Sequence, residues 1–173
     1  MISGNCEHGF SESPFANCVK FFRQEASCAP RILWFEIIRG KNEEEISRRI
    51  FREKLWMDSA EVDARPFLYY LQYLTYGGLG ERYKQLCTMR IFGLYVRDAV
   101  DINLYHPETA LNLLGHCYEM QGFYGAALRC YAVSLTGQSK NNAAYWHVNR
   151  LIRLMSGYNY CTNFQVCVPS IKV

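Results

Sequence analysis

Residues 111–139 read LNLLGHCYEMQGFYGAALRCYAVSLTGQS, and their spacing decides the fold class. Leu111, Leu114, Gly115 and Tyr118 recur at the three- and four-residue intervals of one helix face. Gly122 marks a turn, and Ala127 and Tyr131 stand four apart on a second helix. Small residues at 115 and 127 let two antiparallel helices approach closely, while Leu114, Tyr118 and Tyr131 fill the space on either side. One such hairpin cannot bury its own apolar face, so neighbours are expected on both sides.

This order of residues resembles the tetratricopeptide repeat, a helix-turn-helix unit of about 34 residues with the pattern W-x2-L-G-x2-Y, then A-x3-F, then P. Leu111 stands in the Trp position, and Ser139 stands where the family usually has Pro, so the exit from the second helix is less sharply set. Downstream, NNAAYWHVNRLIRLM (141–155) reads as another first helix with Asn149 in place of the small Gly; upstream, Gly78 is not one period before Gly122. The resemblance implies an all-α chain, an irregular array of antiparallel helical hairpins forming a tetratricopeptide-like solenoid.

The longer wording DARPFLYYLQYLTYGGLGERYKQL, then HPETALNLLGHCYEMQGFYGAALRCYAVSL and NNAAYWH, has a narrower likeness. It resembles the helical tail that follows the nucleotidyltransferase-fold core in invertebrate proteins of the male-abnormal (Mab) family, relatives of cyclic GMP-AMP synthase, over residues 30–154. The likeness carries no catalysis with it. That core needs a Gly-Ser pair on a strand-helix turn and paired carboxylates, because a triphosphate and a hard cation require clustered donors and oxygen ligands. The sequence contains no Gly-Ser dipeptide. Glu61 and Asp63 have acidic spacing but no strand or glycine loop is read before them, so they are expected to cap the following helix.

Punctuation by Pro, Gly, Asn and Asp divides the rest into about eight helical segments. A first helix is expected over 13–26, with Phe15, Cys18, Val19 and Phe22 on one face. A second starts at Pro30 with Leu33, Trp34, Ile37 and Ile38 and ends near Gly40; a third opens on the capping-box spacing of Asn42 and Glu45. ARPFLYYLQYLTY places Phe67, Tyr70, Leu71 and Leu74 on one face, and a partner helix follows over 81–96. The expected organisation is an N-terminal helix and loosely ordered start at 1–28, the helical array at 29–157 and an irregular tail at 158–173.

Composition narrows the function classes. The chain has 173 residues, half of them apolar and a fifth charged, with a mean hydropathy of -0.16, which places it outside the disordered class. A formal charge of +3 is too small an electrostatic footprint for nucleic acid. No basic region followed by an apolar run opens the sequence, and no uninterrupted apolar run is long enough to span a bilayer. Eight cysteines without such a leader point to a reducing, cytoplasmic setting, with Cys87, Cys117 and Cys130 as small buried hydrophobes.

The chemistry-bearing residues form no recognisable constellation. Cys6, His8, Cys18 and Cys28 lack the paired spacing of a zinc site. His116 and Cys117 diverge by about 100° on their helix, and a pair such as Cys87 with His106 lacks a glycine elbow or an orienting third group. The aromatics between Phe67 and Tyr76 follow helical spacing without interleaved basic residues, so they read as core rather than a nucleic-acid platform. Arg48, Arg49, Arg52 and Lys54 alternate with Ile50, Phe51 and Leu55 as the wet face of an amphipathic helix. No catalytic residue, metal ligand or cofactor is assigned.

The function expected from these residues is non-catalytic: a protein-protein interaction or domain-bracing module. First helices of successive hairpins would line a concave groove presenting Asn112, His116 and Glu119 from one helix and Trp146, Arg150 and Arg153 from the next. These would hold a protein or peptide segment, or an adjacent domain. The alternative is a detached C-terminal part of a nucleotidyltransferase-like nucleotide sensor of innate immunity, lacking its catalytic core.

Overall fold

The computed structural model describes residues 18–37, 59–98, 104–139 and 141–156, together with Ser47, Ile50 and Phe51. The helix start at Asn42 and Glu45, the basic residues Arg48, Arg49, Arg52 and Lys54, Gly40, Cys6, His8 and the tail 158–173 lie outside the described residues. Six α-helices and one two-stranded sheet make up the described elements: β1 (Cys18–Phe22), α1 (Arg31–Ile37), β2 (Ser59–Asp63), α2 (Ala64–Gly78), α3 (Arg82–Arg97), α4 (Pro107–Met120), α5 (Tyr124–Gly137) and α6 (Ala144–Met155). None of the described helices is long and apolar enough to cross a membrane.

The α4–α5 hairpin turns at Gly122 as the punctuation indicates, while Gly77 and Gly78 stay inside α2 and its turn follows them. Gly80 at φ +73 closes α2 onto α3, and Gly122 at φ +78 closes α4 onto α5; both are left-handed positions that glycine takes without a Cβ penalty. Pro107 sits in the first turn of α4, where its missing N–H is no loss. Along the chain, α2 packs on α3, α4 on α5 and α5 on α6, while α4 also rests against α2 and α3. Within α2 the buried side chains are Pro66, Phe67, Tyr70 and Tyr73. Leu71, expected on the inner face, is exposed, and Tyr73 takes its place.

The described part of the expected helix over 13–26 is a strand and a 3-10 turn instead. Cys18–Phe22 is a strand paired antiparallel with Ser59–Asp63, in the register Cys18↔Asp63, Lys20↔Glu61, Phe22↔Ser59. The run fits both periods: Val19 and Phe21 alternate inward, with Lys20 outward, as readily as Cys18, Val19 and Phe22 follow a helix. Cross-strand pairing decides for the strand. Val19 faces Val62, Phe21 faces Ala60 and meets the Phe67 ring edge-on at 5.5 Å, and Lys20 forms an ion pair with Glu61. A single 3-10 turn, Arg23–Glu25, follows, tied back where Glu25 accepts the Phe22 N–H.

The main core joins these parts: Leu33 and Ile37 of α1, Ala60 and Val62 of β2, Tyr70 and Tyr73 of α2, Phe92 of α3, and Leu113, Leu114 and Cys117 of α4. A smaller core of Ala127, Tyr131, Ala144 and Leu151 holds α5 and α6 together, and Tyr118 touches both. The two meet at Gly115. A Cβ there would stand 2.5 Å from Tyr131 Cε1, closer than any real contact, so the missing side chain is the room in which the Tyr131 ring lies.

Gly115→Ala is therefore expected to cost ~1–3 kcal/mol of overpacking. Gly125→Ala, facing open space on α5, is expected to leave the melting temperature unchanged or raised. Thermal denaturation of both variants checks the pair, and equal melting temperatures would place the close contact elsewhere.

Candidate functional site

A seam of polar side chains runs through the junction of α1, α2, α4, α5 and α6. Helical spacing on α4 puts Asn112, His116 and Glu119 at positions i, i+4 and i+7, one above the other. Asn112 is 0% exposed, not on an open groove as its spacing suggested. Its Nδ2 donates to Glu36 Oε1 at 2.7 Å and to Asn142 Oδ1 at 3.1 Å, so it ties α1, α4 and the α5–α6 joint together. A buried amide needs such partners, since leaving one unsatisfied costs ~1–3 kcal/mol.

Asn142 is the hub of that joint. Its Nδ2 lies within hydrogen-bond reach of the Ser134 carbonyl in the last turn of α5, of the Gln138 carbonyl just after it, and of Ser134 Oγ. Its Oδ1 accepts the Ala144 N–H at 2.8 Å, which closes the start of α6. Asn141 before it adopts φ +55. These two asparagines set the exit from α5, and Ser139 is exposed. Ser134 Oγ in turn donates to the Glu108 carbonyl in the first turn of α4.

Lower in the seam, Glu119 Oε2 accepts from Tyr131 Oη at 3.0 Å and from Arg150 Nη2 at 2.7 Å. The Arg150 guanidinium lies over the Phe35 ring of α1, 5.5 Å from its centroid. Its neighbour His147 is 0% exposed, stacked on Tyr131 with ring centroids 4.9 Å apart and edge-on to Phe35 at the same separation. His116 Nδ1 pairs with Tyr70 Oη at 2.9 Å. Burial, with Arg150 nearby, pushes His116 down to about 4 and holds His147 well below the usual imidazole value, so both rings are neutral at pH 7.

Of the six side chains expected to line a groove, three are therefore bonded inside the junction, Glu119 to Arg150 and Tyr131 and His116 to Tyr70, and Asn112 is core. Trp146 is half-buried, its Nε1 enclosed without an acceptor. Arg153 alone is exposed. Spacing brought the α4 and α6 sets together but misjudged which way they face. Glu36, Asn142, His147 and Tyr70 were missed. His147 was legible, since it stands three residues after Ala144 and four before Leu151 on the buried stripe of α6; Glu36, an acid inside the apolar run RILWFEI, was the other signal.

A second polar cluster fastens β2 to the start of α4. Asp63 precedes α2, yet its side chain does not cap that helix. Its two oxygens instead accept the backbone N–H groups of Tyr105 and His106, at 3.1 and 2.9 Å, and Cys18 Sγ approaches it from β1 at 3.7 Å. Glu61 likewise caps nothing: it bridges Lys20 and His106 Nε2. His106 Nδ1 faces Glu108 at 3.5 Å. The bond to Glu108 raises the His106 pKa, its charge and those of Glu61 and Asp63 add to the rise, and burial opposes them.

Both Asp63 oxygens hold backbone donors, and among the described residues no group of three His, Cys, Asp or Glu is placed to hold a metal ion. Burial pushes the Cys130 thiol up to about 11 and Cys117 well above its ordinary range, the reverse of an activated nucleophile. Compared with models of known protein families, with curated proteins and with solved structures, the chain shows no significant match, and its reading rests on this geometry.

The His106 cluster generates a pH prediction. A folded pKa raised above the ordinary 6.5 means the contribution to stability is fully present below pH 6.5 and is lost as pH rises through the folded value. The melting-temperature difference between wild type and His106→Gln is expected to be largest near pH 5.5 and to shrink by pH 8.5. A difference that grows with pH would contradict the charged bridge.

Proposed function

We propose that this chain is a non-catalytic helical module that binds or braces another protein, and that it does so through apolar stripes on the outer faces of its helices. The observation that carries the reading is on α3. Tyr83 is 81% exposed, Ile91 50% and Leu94 41%. At helical spacing these three lie within about 80° of one another, one continuous stripe on a two-hairpin body. A contiguous exposed apolar patch on a small domain commonly marks a contact with another protein.

α6 supports the same reading. Tyr145, Ile152 and Met155 share a stripe beside its buried face and are exposed. The hairpins in this reading stack as an irregular tetratricopeptide-like array, with α3 and α6 carrying the faces on which a partner chain or an adjacent domain would seat. A peptide groove built on Asn112, His116 and Arg150 is the weaker form of the idea, because those side chains hold the helices to each other and replacing them lowers stability along with binding.

The test replaces Tyr83, Ile91 and Leu94 together by Ser in the full chain and compares partners captured from cell extract. Exposed substitutions typically stay within about ±0.5 kcal/mol of stability each, whereas truncated interface anchors commonly cost over ~1 kcal/mol of binding. Loss of the captured partners at an unchanged melting temperature is expected. Retention of every partner by the triple variant would end the α3 form of the reading.

A further inference from the structure

The inward face of α6 has an imidazole at the centre of its contact: its buried residues are Ala144, His147 and Leu151. The His147 ring lies between Tyr131 of α5 and Phe35 of α1, with centroids 4.9 Å from each. Its Nδ1 is 3.3 Å from Arg150 Nη2. A guanidinium only donates, so Nδ1 accepts, and the single proton of the neutral ring is on Nε2. That Nε2 is enclosed with no hydrogen-bond partner.

This site tolerates no second proton. Adding one to Nδ1 replaces an accepted hydrogen bond by two N–H groups facing each other, and puts a positive ring against a positive guanidinium in a space closed to water. The surrounding charges offer no relief. From α4, the Glu119 carboxylate is already engaged by Arg150 and Tyr131, and His116 becomes a further cation if it is protonated. From α5 comes the neutral Tyr131 hydroxyl, and from α1 the Phe35 ring, whose neighbour Glu36 is held by Asn112.

We propose that α6 is an acid-sensitive latch: protonation of His147 releases α6 from α5 while the α4–α5 hairpin and the main core stay folded. Release of this helix, rather than collapse of the whole, follows from how the helices are held. α4 is packed against α2, α3, α5 and β2, and its contact with α5 passes through Gly115 and Tyr131. Among the described residues, α6 rests chiefly on α5 through three buried residues and the Asn142 joint. Elements with the fewest buried contacts open first, at a fraction of the global free energy. An opened α6 would uncover Tyr131 and Leu128 of α5, which pack in the smaller core, so acid would present an apolar surface that neutral pH conceals.

The direction agrees with the burial and positive neighbours that depress the His147 pKa: stability present above the ordinary value of 6.5 is lost as pH falls below it. Hydrogen exchange of the full chain, read helix by helix from pH 7.5 to 5.0 and corrected for intrinsic exchange rates, tests the latch. For one titrating proton, the opening of α6 is expected to rise about tenfold per pH unit below 6.5 while α4 and α5 keep their protection. His147→Phe, which keeps an aromatic ring, or His147→Gln should flatten that dependence. If α6 and the α4–α5 hairpin lose protection together in the wild-type chain, the latch is refuted without any variant. Undiminished pH dependence in a folded His147 variant would also overturn it.

Discussion

The Tyr131 ring occupies the space left by the absent side chain of Gly115, and the arrangement of the C-terminal helices depends on that contact. With the ring seated against α4, its hydroxyl reaches Glu119 and its outer face becomes the platform on which His147 stacks. Glu119 then holds Arg150, and Arg150 lies over Phe35. One close approach between α4 and α5 thus determines where α6 sits and how α1 meets it. A bulkier residue at 115 would displace all of these partners, because a packed interior passes a displacement on rather than absorbing it.

The polar groups of this junction serve to select one arrangement of helices. Apolar contacts between α4, α5 and α6 would tolerate rotation or sliding, whereas the Asn112–Glu36 and Asn112–Asn142 bonds fix both register and orientation. Asn142 also ends one helix and begins the next, so the turn and the packing are set by a single side chain. The resulting body joins many of its buried polar groups to one another and leaves apolar side chains of α3 and α6 facing outward.

How much of this was legible in the sequence depends on how far apart the partners lie. The α4–α5 hairpin and the start of α6 were readable because their signals are local: small residues at 115 and 127, Gly122 in the turn and a fresh apolar period after Asn141. β1 was not, since Cys18–Phe22 fits two periods and its partner Ser59–Asp63 is remote in the chain. The facing of Asn112 failed for the same reason. A polar residue on a helix reads as exposed unless its partner is known, and Glu36 lies 76 residues away. Asp63 and Glu61 looked like helix caps by position, but the backbone donors of the loop at 105–106 claimed Asp63 instead.

The contact at Gly115 is tested most directly by a double-mutant cycle for folding free energy, using Gly115→Ala, Tyr131→Leu and the two combined. If the ring fills the space of the missing Cβ, shrinking it removes the overpacking, and the added methyl costs much less in the Tyr131→Leu background than in wild type. A coupling of about 0.5–3 kcal/mol is the predicted result. Costs that simply add, within about 0.3–0.5 kcal/mol, would show that the two positions do not share that space and would contradict the account.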